Sequence, residues 1–304
     1  MSHGVGAVEA LQSLLGPLVP LFALITQLAD VWFLFVLLSV LYLAADRVPG
    51  VRDRLDRQDV AYVVALAVGA LALTTGLKLL FAHPRPPMAG TPVNGGWLPA
   101  PLFALYEATV YADGFALPSG HSLGGTAVYG GLALVYGDTI SRRSLAAGAG
   151  LAGLVALSRV VIGVHYAGDV LLGVAVAVGY LAVATVLTDN GRRVGAAFLL
   201  AVLAGVFALF AGGYERDAIV ALGTALGGRL AWQVVGDGVR PTVSSGREAL
   251  VLVAVGLPAV GTLFAAMEVL EPSLPVTFVV AALVVAVLLA LPVAWPQKNV
   301  AGEP

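Results

Sequence analysis

Residues 165–187 read HYAGDVLLGVAVAVGYLAVATVL: a histidine and a carboxylate four positions apart, followed by an apolar run without another charge. Crossing roughly 30 Å of hydrocarbon takes about 20 helical residues, and this run supplies them. The pattern recurs on both sides of it. Further apolar segments near 22–44, 60–81, 119–136, 144–163, 194–212, 218–235, 249–267 and 276–294 bring the expected spans to nine. With 59% hydrophobic and 11% charged residues, the 304-residue chain has far more apolar surface than one soluble core buries. The expected fold class is all-α, a polytopic transmembrane helix bundle of about nine spans.

A formal net charge of −2 offers no basic footprint, so no nucleic-acid partner is expected. The absence of cysteine removes disulfides and thiolate metal sites. Residues 5–15 (VGAVEALQSLL) are too short to span and carry Glu9, so a helix lying in the membrane interface is expected there. Gly16, Pro17 and Pro20 should break it from the first span. No basic segment or cleavage site precedes it, so no removed signal peptide is expected.

Cytoplasmic loops retain Lys and Arg, which orients the bundle. One set of loops holds Arg47, Arg52, Arg54, Arg57, Arg142, Arg143, Arg192, Arg193, Arg240, Arg247 and Lys298, and is read as the inner face. The other holds Lys78, Arg85, Arg159 and Arg216, while Arg229 lies within a span and can snorkel inward. The expectation is an integral protein of the cytoplasmic membrane with its N-terminus outside and its C-terminus inside.

The sparse outer cations coincide with other polar groups. KLLFAHPRP (78–86) closes the second span, PSGH (118–121) opens the third, and SRVVIGVHYAGD (158–169) joins the fourth to the fifth. Ionisable residues at membrane helix ends are expensive unless partnered, and they mark sites. His165 and Asp169 at helical spacing should share a face, so that the carboxylate accepts from one imidazole nitrogen and leaves the other free to attack. His121 is placed to protonate a leaving oxygen. Lys78, Arg85 and Arg159 supply fixed positive charge, and Ser119 and Gly120 open a helix N-terminus of the kind that binds anions. Taken singly, each has a plainer role: headgroup anchors for Lys78 and Arg159, a helix cap for Ser119-Gly120, a structural pair for His165 and Asp169. The pairs Gly120/Gly124 and Gly223/Gly227 suit helix packing.

The three segments, K-x6-R-P, P-S-G-H and S-R-x5-H-x3-D, resemble the signature motifs of the type 2 phosphatidic acid phosphatase superfamily, complete and in order. The resemblance implies that His165 attacks phosphorus to form a phosphohistidine, with Asp169 orienting it. It implies His121 as the acid for the leaving alkoxide, then the base for water. Lys78, Arg85, Arg159, Ser119 and Gly120 would bind the phosphate oxygens, with no cofactor and no metal required. Members include lipid, polyprenyl diphosphate and sugar phosphatases and vanadate-dependent haloperoxidases. A membrane-rim site favours a lipid phosphate or diphosphate substrate, and membrane lipids as surroundings. A lipid phosphotransferase with an alcohol acceptor is the alternative.

The division expected is residues 1–20 as an interfacial helix, 21–190 as the catalytic transmembrane core, and 191–304 as additional helices, with association into a homo-oligomer left open. Met88–Leu117 contains no basic residue and reads as a loop whose Trp97, Tyr106 and Tyr111 suit the interface and a cover for the site.

Overall fold

The computed structural model describes residues 5–44, 47–48, 50–91, 95–137, 139–236 and 245–295. Arg240 and Lys298, counted above with the inner cations, lie outside the described residues. Twelve α-helices are present among the described residues: α1 (Val5–Leu15), α2 (Val19–Thr26), α3 (Val31–Ala44), α4 (Arg57–Phe81), α5 (Ala100–Val110), α6 (Gly120–Val135), α7 (Arg142–Val161), α8 (Ala167–Leu187), α9 (Val194–Gly212), α10 (Arg216–Val235), α11 (Gly246–Leu270) and α12 (Leu274–Ala294). Eight helical stretches among the described residues are long and apolar enough to cross a membrane. The protein is an integral membrane protein.

Local chemistry sets the helix ends. Asp56 and Asp59 exchange backbone–carboxylate hydrogen bonds of 2.9 Å each, closing a capping box at the start of α4. Ser141 caps α7 by accepting from Ser144 N at 2.9 Å, and Ser245 caps α11 by accepting from Glu248 N at 3.2 Å. The buried Arg57 donates to the carbonyls of Tyr42 (3.0 Å) and Leu43 (3.4 Å), satisfying the last turn of α3.

The segment expected as a single span, 22–44, is two helices broken at Asp30. Asp30 is extended (φ −67°, ψ 146°), and its Oδ1 accepts from Trp32 N at 3.4 Å. An aspartate competes for backbone amides and favours the start of a helix over its interior. The break is the N-terminus of α3.

Residues 5–15 are helical as expected, and a 3-10 turn at Gly16–Leu18, with Gly16 at φ +45°, leads into α2. Although Val8–Ala29 is 22 residues of apolar helix, its contacts do not run the length of the bundle. Val8 packs with Ala156 and Val160, Val19 and Ala23 pack with Val161, Ile162 and Val164, and Thr26 bonds Arg159. These partners span about ten residues, or about 15 Å of helix, at one end of α7. The segment folds back over that end. Among the described residues, α4 and α7–α12 are the other seven candidate spans, and α3 is a shorter apolar helix.

The Met88–Leu117 connection contains α5, a helix the loop reading did not anticipate; its Tyr106 and Val110 pack with Val19, Ala23 and Ile162. Close helix approach rests on small residues. A methyl on Gly227 would lie 2.0 Å from the Ala282 carbonyl oxygen, and one on Gly223 2.7 Å from that of Phe278, so this pair seats α10 on α12. Gly120 faces Thr74 of α4, where a methyl would meet Cγ2 at 3.0 Å, while Gly124 has only Leu34 at 3.9 Å.

Candidate active site

The polar residues of the three motifs meet at one end of the bundle. α4 delivers Lys78 in its last turn, then stops at Ala82 in the left-handed region (φ 46°), and the chain turns through His83-Pro84 to Arg85. Arg85 pins three loops. Its Nε donates to Asp113 O (2.7 Å), and its Nη1 donates to Val164 O (3.0 Å) and lies 3.2 Å from His165 Nε2. Ala116 N donates to His83 O at 2.8 Å, holding the approach to the third motif against the first.

His165 is buried, and it precedes α8 instead of lying on it: the helix begins at Ala167, with Asp169 in its first turn. The pair nevertheless forms, with Nδ1 of His165 3.4 Å from Oδ2 of Asp169. That is an ion-pair separation, longer than a hydrogen bond, and Nδ1 has no hydrogen-bond partner. The same Oδ2 accepts from Tyr166 N at 2.8 Å, which fixes the carboxylate to the turn carrying the histidine. A guanidinium has no acceptor, so the Arg85 contact requires a lone pair on Nε2 and puts the ring proton on Nδ1, toward Asp169. Both neighbours select one tautomer. Burial, followed by the fields of Arg159, Arg85 and Lys78, holds the His165 imidazole well below its ordinary pKa, so the ring is neutral. Burial also lowers Arg85 from its ordinary value, opposed by Asp113 and Asp169.

Ser119 behaves as a cap and as a tie. Its Oγ accepts from Ser122 N (3.4 Å) and from Ser122 Oγ (3.0 Å), and its amide donates to Asp169 O at 3.0 Å. Of the Ser119-Gly120 pair, only the Gly120 amide is left at the helix start with no carbonyl one turn back to receive it. The tie from Ser119 to Asp169 brings the start of α6 against the start of α8. Gly173 permits this approach: a methyl there would lie 2.8 Å from Ser119 O and 3.3 Å from Leu123 N.

Arg159, in the last turn of α7, is buried; its Nη1 donates to Thr26 Oγ1 at 2.8 Å, and its Nε has no hydrogen-bond partner. A buried guanidinium with an unspent donor, within electrostatic reach of Lys78 and Arg85, suits an anion that supplies the acceptor. His121 is partly exposed, and its Nε2 lies 3.5 Å from Asp30 Oδ2. Thr26, Asp30 and Gly173 were not singled out from the sequence. The signal for Asp30 was a lone carboxylate inside an otherwise apolar segment.

Among the described residues, no group of three or more His, Asp or Glu converges as a metal site. A family model described as the PAP2 superfamily matches residues 59–193, which contain all three motifs. No curated protein and no solved structure matches the chain. With its three motifs in order and their polar residues gathered at one end of the bundle, the region 59–193 of this membrane protein belongs to the PAP2 superfamily, largely phosphatases acting on phosphate esters, often those of lipids.

Proposed function

We propose that the protein hydrolyses the phosphate or diphosphate ester of an amphiphilic lipid, of polyprenyl or phosphatidate type, at the extracytoplasmic face of the cytoplasmic membrane. The neutral His165, with its Nε2 lone pair directed at the cationic pocket, carries this reading. In the first step Nε2 forms a bond to phosphorus as the bond to the leaving oxygen breaks, and His121 gives that oxygen a proton. The phosphate oxygens take the donors of Lys78, Arg85, Arg159 and Gly120, displacing Arg85 from Nε2. His121 then removes a proton from water, whose oxygen attacks the phosphohistidine and releases phosphate. Asp169 holds the imidazole and offsets the positive charge it acquires. Residues 21–190 form the catalytic core in this reading, and 191–304 are additional helices.

The test is a rapid quench at alkaline pH, where phosphohistidine survives, using purified protein and radiolabelled phosphatidate or polyprenyl diphosphate. Label should appear on His165, disappear on acidification and be absent from His165→Ala, which should also lose nearly all turnover. Label on His121, or labelling that persists in His165→Ala, overturns the assignment. Phosphate release without added alcohol separates a hydrolase from a phosphotransferase. Because the site draws on side-chain cations, activity should survive EDTA; a loss restored by Mg²⁺ would contradict the mechanism.

A further inference from the structure

The broken turn between α2 and α3 touches the site twice. Thr26 receives Arg159, and four residues on, Asp30 faces His121. Both residues lie outside the family-matched region 59–193. The two oxygens of Asp30 are divided: Oδ1 accepts from Trp32 N at 3.4 Å as the cap of α3, and Oδ2 lies 3.5 Å from His121 Nε2. The cap fixes the carboxylate against the ring. The elements packed on His121 bring it Arg159 from α7, Lys78 from α4 and the neutral His165 from the turn before α8, with Asp169 serving that histidine. Asp30 is the carboxylate that contacts His121 directly.

We infer that Asp30 is a positioning residue for His121, completing a second carboxylate–imidazole pair opposite that of Asp169 and His165. The inference rests on the reading of His121 as the leaving-group acid. Asp30 holds the Nε2 proton and offsets the nearby cations, so the other ring nitrogen carries the proton that passes to the leaving oxygen as the P–O bond breaks. Nε2–H stays with Asp30 throughout, and the ring returns to its protonated form on deprotonating water. The site is thus assembled from the matched region and a segment before it.

The test compares n-dodecyl phosphate, a poor leaving group that needs the acid, with p-nitrophenyl phosphate, which does not. Asp30→Asn should lower single-turnover phosphorylation of the enzyme by roughly 10- to 100-fold with the alkyl probe, less than the roughly 10² to 10⁴ for losing a general acid altogether. With the aryl probe the rate of that step should change by less than about threefold, and Asp30→Glu should recover most of the alkyl rate. In a His121→Ala background, Asp30→Asn should add nothing further. Equal losses on both probes, or a further loss in the His121→Ala background, overturn the inference. If His121→Ala itself shows no dependence on the leaving group, the acid assignment fails and this proposal with it; if that dependence is present and Asp30→Asn matches the wild type, only the role of Asp30 fails. Should the amide variant not accumulate as folded protein, Asp30→Ser carries the same comparison.

Discussion

Asp169 does two jobs through one oxygen, and substitution can separate them. Asp169→Asn can keep an oxygen for Tyr166 N, so α8 should start where it does and the melting temperature should be nearly unchanged. What it loses is the charge facing His165 Nδ1, and kcat/KM should fall by roughly 10² to 10⁴, as expected for a histidine that loses its preferred tautomer and its counter-charge. Asp169→Ala removes the helix-start acceptor as well, adding a cost of about 0.5–2 kcal/mol that a thermal melt in detergent should register. A fall in melting temperature for the amide equal to that for alanine would show that the carboxylate is structural. The spacing of His165 and Asp169 made their pairing legible, but not its route. The helix starts two residues late because Gly163, at φ +83°, turns the chain before it, so the contact is made by a loop folding onto a first turn.

Between elements, the site depends on how closely the start of α6 approaches α8. Gly173→Ala places a methyl 2.8 Å from Ser119 O and 3.2 Å from Ser122 Cβ, so α8 must withdraw and strain the 3.0 Å bond from Ser119 N to Asp169 O. Overpacking of this kind costs about 1–3 kcal/mol, and a displacement near 1 Å at a reacting centre can cost about 10²-fold in rate. Gly173→Ala should therefore lose roughly 10²-fold in turnover while remaining folded. Gly179→Ala, further along the same helix and open to its surroundings, should behave as wild type in the same assay. Apolar length and capping residues made α4 and α6–α12 readable to within a few residues: α4, α6, α7, α11 and α12 follow an aspartate or a serine, α9 and α10 follow a charged residue, and α8 carries Asp169 in its first turn. Two stretches nearer the N-terminus were less readable. Asp30 interrupts a run whose composition reads as a single span, and α5 is too short for periodicity to separate it from a covering loop.

For the molecule as a whole, sidedness can be measured because the chain has no cysteine of its own. Gly96 is exposed, with nothing within 4 Å of an added methyl, whereas a methyl on Gly95 would meet the Tyr106 ring at 2.7 Å, which makes it a poor labelling site. Gly96→Cys should react with an impermeant maleimide on intact cells, and the exposed Arg52→Cys only after the membrane is opened; the reverse pattern would invert the proposed orientation. α4 has a second neighbour besides the motif-bearing helices. A methyl on Gly69 would strike Tyr180 of α8 at 2.0 Å and come within 3.4 Å of Ala201 Cα on α9, and one on Gly76 would meet Phe207 and Ala208 of α9 at 2.6 and 3.0 Å. The helix that ends in Lys78 is thus a party wall, with tenants on both sides. A shortened chain ending near residue 190 would keep every motif residue and still leave that wall with one face stripped to lipid, its glycine notches filled by nothing of matching shape. Small-residue surfaces in a bilayer draw helices together by fit. Such a fragment should pair with copies of itself or with a separately expressed 191–304 segment, and co-expression of the two halves should restore the activity that the first half alone lacks.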